Sequence, residues 1–204
     1  MALEWSGLDV DLIPYGQTLS PVDLQQAEIV FALPTIDYPS REAGSVSLYD
    51  VAWSEGEIDV LREYVEDGGL LVILNSRYRL KYGYPPLDEN EDWSDMNALS
   101  QVFGVTFYDG ATWGELGRPA DHPLMDGLEV VSLAEPNGVP FTFEGGEALA
   151  FAYDDPAMAL VPYGDAGGEV LVIGDIGILR PNGGTDAPRN LPFWLNLAQY
   201  ALQR

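Results

Sequence analysis

The sequence predicts an α/β fold, a three-layer sandwich in which helices cover both faces of a mainly parallel sheet. Two runs, Leu70–Leu74 and Val170–Ile173, contain only apolar residues, as expected of strands that are buried on both faces. A segment with apolar residues at helical spacing precedes the first run, and two glycines lie between that segment and the run. With 204 residues, 47% of them apolar, the chain can form one large core. We therefore expect a single domain over residues 1–204.

The first third of the chain contains signals for two strands and a short helix. Val10–Ile13 is mostly apolar and ends at a proline, which predicts a strand. Ser20 precedes a proline and predicts a helix N-cap. Glu28–Leu33 also ends at a proline and predicts a buried strand. Residues 34–53 show no periodicity and predict a long loop.

The unit around residues 54–74 is predicted most strongly. Ser54 and Glu57 have the spacing of a capping box at a helix start. Gly68 and Gly69 predict the end of that helix, because glycine accepts the left-handed conformation found there. The strand Leu70–Leu74 follows directly.

The middle of the chain predicts a helix, a strand and then a β-rich segment. Residues 77–95 are irregular, Ser94 predicts a helix N-cap, and Gly104 ends that helix before a strand at Val105–Phe107. Residues 108–163 are rich in glycine and proline and predict a β-rich excursion with antiparallel pairing. Its strand candidates are Leu128–Leu133, Ala148–Tyr153 and Ala157–Val161.

The end of the chain returns to the α/β pattern. Gly167 and Gly168 predict a turn into the buried strand Glu169–Asp175. A final helix is predicted from about Asn190 to Leu202, because its apolar residues recur at helical spacing.

The charge of the chain limits which molecules it can bind. The chain has 33 acidic and 9 basic residues, a formal net charge of -24, so we expect no binding to nucleic acids or anionic membranes. The charge suits a solvated surface in high salt and resembles that of halophilic proteins, or it attracts a basic partner. No run approaches the roughly 20 apolar residues of a membrane span, and no basic leader precedes an apolar run. The composition leaves the compartment open, since it suits an extracytoplasmic domain as well as a halophile protein.

Cysteine is absent and His122 is the one histidine. These counts exclude disulfides, thiolate nucleophiles and zinc sites of the cysteine type. A metal would be a hard cation bound by oxygen atoms, and we expect no cofactor.

Several motifs follow one another in a characteristic order. They are Leu61–Leu74, Asn97–Val105, His122–Leu128, Gly167–Asp175 and Arg189–Asn196. Together they resemble the class I glutamine-amidotransferase-like superfamily. The most similar group there contains gliding-motility ABC-transporter accessory proteins, an intraflagellar-transport subunit and ThuA-like proteins. The resemblance implies a flavodoxin-like doubly wound sheet. Members usually begin with a strand and a helix that precede the strand corresponding to Val10–Ile13. This chain therefore resembles a domain excised from a longer protein or one with a shortened sheet.

The resemblance also bears on activity. Amidotransferases of this superfamily carry a cysteine on a sharp turn between a strand and a helix. The comparable turn here reads Asn75-Ser76-Arg77. We therefore expect a non-catalytic binding or scaffolding domain whose partner is the rest of a longer polypeptide or an assembly.

Two groups of residues are candidates for ligand binding. Asn75, Ser76, Arg77 and Asp175 follow predicted parallel strands, and ligands bind at the carboxyl ends of such strands. Aromatic residues in predicted loops suggest an alternative function as a carbohydrate-binding module, because sugars stack on rings. They also suit a core beneath long loops. This aromatic set comprises Trp53, Tyr78, Tyr82, Tyr84, Trp93 and Trp113, of which Trp93 and Tyr82 are the preferred ligand contacts.

Two further alternatives concern catalysis and metal binding. A hydrolase could use Ser76 as nucleophile with His122 as base, although a His-Pro pair more often shapes a turn. Asp88, Asn90 and Asp92 alternate as in a calcium loop. The glycine and the glutamate of an EF-hand are missing, so an irregular cation site competes with a solvated acidic loop.

Overall fold

A computed structural model of the chain describes residues 9–13, 17–33, 53–75, 93–108, 110, 116–132, 138–179 and 190–204. Its strands are β1 (Ile29–Ala32), β2 (Leu70–Leu74), β3 (Val105–Phe107), β4 (Leu116–Pro119), β5 (Val131–Ser132), β6 (Phe141–Phe143), β7 (Glu147–Ala152), β8 (Asp155–Tyr163) and β9 (Gly168–Ile173). Its α-helices are α1 (Pro21–Leu24), α2 (Glu55–Glu66), α3 (Ser94–Ser100) and α4 (Leu191–Ala201). Short 3₁₀ turns occupy Gln101–Phe103, Pro123–Met125 and Ile176–Leu179.

Within these residues, one sheet contains seven strands in the order β1-β2-β9-β8-β7-β4-β5. β1, β2 and β9 are parallel neighbours. The remaining pairings in the sheet are antiparallel. β3 and β6 form a separate antiparallel pair. The α/β class is thus confirmed, and the β-rich excursion extends the parallel core with antiparallel strands in the same sheet.

The sheet is covered on both faces, as the apolar runs predict. Leu71 and Ile73 pack with Leu61 and Val65 of α2 on one face. On the other face, the remaining residues of β2 pack with α4, including Trp194. Successive strand residues point to opposite faces, so a strand that is apolar at every position becomes the middle layer of a sandwich.

Local signals set the ends of several elements. The Ser54 hydroxyl accepts a hydrogen bond from the Glu57 amide, and the Glu57 carboxylate accepts one from the Ser54 amide, as in a capping box. Gly68 has φ +99° and follows the helix C-cap. Gly104 has φ +74° and ends the 3₁₀ turn after α3. The predicted ends of these helices are confirmed.

Two local predictions are wrong. Val10–Ile13 forms no strand, because no described strand lies beside it and only Val10 packs against the core. Helix α3 begins at Ser94 itself, with Trp93 in the N-cap position.

Candidate functional site at the carboxyl edge of the sheet

The carboxyl ends of β2 and β9 lie side by side. Leu74 pairs with Ile173, and the next residue, Asn75, continues the pairing because its amide donates to the Ile173 carbonyl at 3.0 Å. The Asn75 carbonyl accepts from the amide of Ile176 at 2.8 Å. The chain after β9 therefore turns across the end of β2, which brings Asn75 and Asp175 to one edge.

Both polar side chains at this edge are buried. Asn75 is 1% exposed and Asp175 is 2% exposed. One carboxylate oxygen of Asp175 accepts from the amide of Gly177 at 2.7 Å, which begins the 3₁₀ turn Ile176–Leu179. A buried carboxylate is costly unless it accepts hydrogen bonds, so this contact stabilises the turn that closes the edge.

The β-rich excursion packs against the same edge. The amide of Val139 donates to the Gly174 carbonyl at 2.8 Å, and the Gly174 amide donates to the Ala157 carbonyl at 3.0 Å. A Cβ at Gly174 would lie closer than 3.0 Å to the Val139 carbonyl oxygen. Glycine is therefore required here, and the segment beside Val139 covers the end of β9.

The remaining predicted contacts divide into two groups. Trp93 is half-buried and packs against the hydrophobic cluster beneath α2. Its indole N–H makes no hydrogen bond within the part of the chain that the structure describes. Trp53 is also half-buried and packs against the same cluster. The candidates that lie outside the described residues are Ser76, Arg77, Tyr78, Tyr82, Tyr84, Asp88, Asn90, Asp92 and Trp113. Among the described residues, no cluster of three acidic or histidine side chains could hold a metal ion.

His122 lies toward the other edge of the sheet. Its Nδ1 accepts from the Leu124 amide at 3.1 Å, which caps a 3₁₀ turn. Its Nε2 is 3.3 Å from Glu147 Oε1, and its ring lies 6.1 Å from that of Tyr200. Tyr200 in turn bonds to Glu169, at the amino end of β9. His122 therefore shapes a turn.

That polar cluster was not predicted from the sequence. The Tyr200 hydroxyl donates to the Glu169 carboxylate at 2.7 Å, and Arg204 forms an ion pair with the same carboxylate at 2.9 Å. Burial is the main cause that raises the pKa of Tyr200 to about 12. The hydrogen bond to Glu169 and the negative charge of Glu169 raise it as well. The phenol thus stays protonated and keeps donating at neutral pH. These residues are distant in sequence and carry no motif.

The hairpin between β7 and β8 exposes an aromatic side chain near the carboxyl edge. Met158 pairs with Ile173, so the hairpin tip extends beyond the end of β9. Tyr153 at the tip is 74% exposed and has φ +58°, a conformation unfavourable for a tyrosine. Tyr108 is also exposed, and burial followed by the nearby charge of Asp155 raises its pKa.

Comparisons with known proteins identify the fold. No family model matches the chain, and no curated protein matches its sequence. Solved structures match it over nearly its whole length.

The N-terminal domain of mmIFT52 superposes with a TM-score of 0.63 at 13% identity, over 92% of this chain and 82% of that one. A β-galactosidase from Rahnella sp. R3 gives 0.60 at 18% identity, over 100% of this chain and 26% of the enzyme. The cytoplasmic protein STM3548 from Salmonella typhimurium gives 0.58 at 16% identity, over 98% of this chain and 83% of that one. At these low identities, the superpositions establish a shared fold alone.

The described residues include no helix long and apolar enough to cross a membrane.

Proposed function

We propose that the chain is a non-catalytic binding or scaffolding domain of the glutamine-amidotransferase-like type, acting within a longer protein or an assembly. The observation that carries this proposal is the strand end after β2, where Asn75-Ser76-Arg77 stands in place of a cysteine turn in a chain without cysteine. The fold that the chain shares with the mmIFT52 N-terminal domain supports it, because that name describes one domain of a longer protein. In this proposal residues 1–204 form one domain, excised from a longer polypeptide.

The position of His122 supports a non-catalytic function. Its ring contacts Glu147 and Tyr200, and Tyr200 bonds to Glu169. Glu169 lies four positions before Ile173, roughly 13 Å along a strand. A general base must lie within about 3 Å of its nucleophile. The turn that His122 caps and its contacts with Glu147 and Tyr200 favour a structural role for this ring over that of a general base.

An activity assay tests the non-catalytic part of the proposal. The full chain is incubated with glutamine, a nitrophenyl ester and nitrophenyl glycosides, with Ser76→Ala as the matched variant. We expect no turnover above that of buffer for either protein. Reproducible turnover that Ser76→Ala abolishes would contradict the proposal and favour the hydrolase.

The assembly is tested in cells of the source organism. An affinity-tagged chain is expressed there, and extracts are separated by size exclusion. We expect the tag to elute well above 22.3 kDa, the mass of the single chain, together with a defined stoichiometric partner. Elution at the mass of the free chain would count against an assembly.

Carbohydrate binding is a second candidate because of Tyr153. An exposed aromatic ring held in an unfavourable backbone conformation near a ligand-binding edge suits sugar stacking. Ser76, Arg77, Trp93 and Tyr82 would supply the remaining contacts, and the buried Asn75 and Asp175 would hold the strand ends beneath them in place. Binding on a glycan array at millimolar sugar that is lost in Tyr153→Ala but kept in Leu195→Ala would favour this function. The absence of any hit would exclude it.

A further inference from the structure

A cleft of about 560 Å³ opens at the amino ends of β1 and β2, on the opposite edge of the sheet from Asn75 and Asp175. This volume lies within the roughly 300–1,000 Å³ that is typical of ligand pockets. Residues of α1, α2 and the end of α4 line it, together with the segment before β1. None of the candidate residues predicted from the sequence lies in this cleft.

About half of the cleft lining is apolar, and this apolar part includes the ring of Tyr64. The Tyr64 hydroxyl donates to the carbonyl of Ala27 at 3.1 Å and accepts from the amide of Leu70 at 3.3 Å. Burial raises the pKa of Tyr64 to about 12, so these bonds persist at neutral pH. Apolar side chains complete this lining, namely Pro21, Leu24, Ala27, Val60 and Ala201.

Carboxylates surround this lining. Glu28, Glu63 and Asp67 line the cleft and are exposed. The one basic residue that lines it in the described structure, Arg204, is bound to Glu169 and to the carbonyls of Gly68 and Gly167. The C-terminal end of α2 also faces the cleft and adds partial negative charge. The cleft therefore combines an apolar surface with a net negative rim.

Two exposed apolar residues are next in sequence to residues that line the cleft. Val22 follows the lining residue Pro21, Leu202 follows Ala201, and each is 72% exposed. A second copy of this chain is an unsuitable occupant, because each copy carries a net charge of -24.

We propose that this cleft docks a basic amphipathic segment of a partner protein, with apolar side chains on the surface beside Tyr64 and Lys or Arg side chains against Glu28, Glu63 and Asp67. The inference rests on the proposed binding function and assigns that function a surface and a partner chemistry. Charge complementarity selects the partner, and the apolar lining distinguishes docking from loose ion attraction.

The test uses a fluorescent ten-residue peptide of alternating leucine and lysine and measures its anisotropy with the full chain at 0.15 M salt. We expect saturable one-to-one binding. Glu28→Lys/Glu63→Lys should weaken it about tenfold, because rim charges set steering and salt dependence. The matched control is Glu129→Lys/Glu144→Lys, which changes the net charge equally at exposed sites away from the cleft.

A second peptide, with serine in place of leucine, tests the apolar lining and should bind at least tenfold more weakly. Equal weakening by the two double variants, or equal binding of the two peptides, would overturn the proposal. So would saturable binding of spermine with no binding of the leucine peptide. Turnover that depends on Ser76 would instead overturn the proposed function while leaving the peptide result unchanged, so the two failures are distinguishable.

Discussion

At the scale of single residues, glycines determine how closely helix α2 approaches the sheet. A Cβ at Gly168 would lie closer than 3.0 Å to the Val65 carbonyl oxygen, which is backbone and cannot turn aside. A Cβ at Gly69 would meet the ring of Tyr64 in the same way. Gly69 precedes β2 and Gly168 is the first residue of β9, so their lack of a side chain allows α2 to pack directly over β2 and β9.

Gly168→Ala should destabilise the protein by about 3 kcal/mol, because the new methyl group forces α2 away from β9. Urea denaturation followed by circular dichroism measures the effect. The control is Gly56→Ala within α2, where a Cβ meets nothing within 4 Å. We expect that variant to gain roughly 0.5–1 kcal/mol from helix propensity. Equal stability of the two variants would contradict this packing.

At the scale of elements, polar side chains hold strands and helix ends in place. Asn97 on α3 accepts from the amide of Phe107 at 2.8 Å and donates to its carbonyl at 3.0 Å. Asn190 makes the same pair of bonds to Ser132, both at 2.8 Å. In each case a side-chain amide satisfies both backbone groups of one strand residue, β3 in the first case and β5 in the second. These short strands thereby gain hydrogen-bond partners for their backbone amide and carbonyl groups.

Asn97→Asp should cost about 2 kcal/mol at neutral pH, because a carboxylate would face the Phe107 carbonyl without a proton to donate. The loss should shrink in acid, where the protonated carboxyl group donates again. Thermal unfolding between pH 3 and 8 measures this recovery. Asn97→Ala serves as the control, since its loss should not vary with pH.

The capping box of α2 should make stability depend on pH. Burial raises the pKa of Glu57. Hydrogen bonds from the Ser54 hydroxyl, the Ser54 amide and the Leu19 amide outweigh burial and hold the pKa below its ordinary value of 4.5. A carboxylate with a lowered pKa stabilises the fold above its ordinary pKa, and this contribution is lost as the pH falls through the lowered value.

Glu57→Gln should therefore be less stable than the parent at pH 7, and the difference should disappear near pH 3. Denaturation midpoints across this range measure it. In a Ser54→Ala background the same substitution should have a smaller effect, because one of the hydrogen-bond partners is missing. A difference that is constant with pH would rule out the charged capping box.

At the scale of the whole molecule, the charge of -24 opposes compaction. Among the residues described, ion pairs are few. That of Arg204 with Glu169 is largely buried, whereas that of Arg62 with Asp59, at 2.9 Å, is exposed. Exposed pairs contribute little stability. Salt should therefore act mainly by screening repulsion among the carboxylates.

The melting temperature should rise by about 5 °C between 0.05 and 1 M NaCl. Neutralising four exposed carboxylates should raise the low-salt melting temperature and reduce the salt effect. Suitable substitutions are Glu63→Gln, Glu129→Gln, Glu144→Gln and Asp154→Asn. A melting temperature that stays level or falls with salt in the parent would refute charge repulsion as the main effect.

The parallel core follows from the amino-acid pattern, because apolar runs such as Leu70–Leu74 require cover on both faces. The ends of α2 follow from it too, because a capping box and a terminal glycine act between residues close in the chain. The sequence also indicated that Asn75 and Asp175 would share an edge, since both follow parallel strands. The folded structure alone reveals that Val10–Ile13 is not a strand, because strand formation needs a neighbouring strand that a local pattern cannot supply. It also decided that His122 lies toward the amino edge and that α1, α2 and α4 enclose an acidic cleft, because those contacts join residues far apart in the chain.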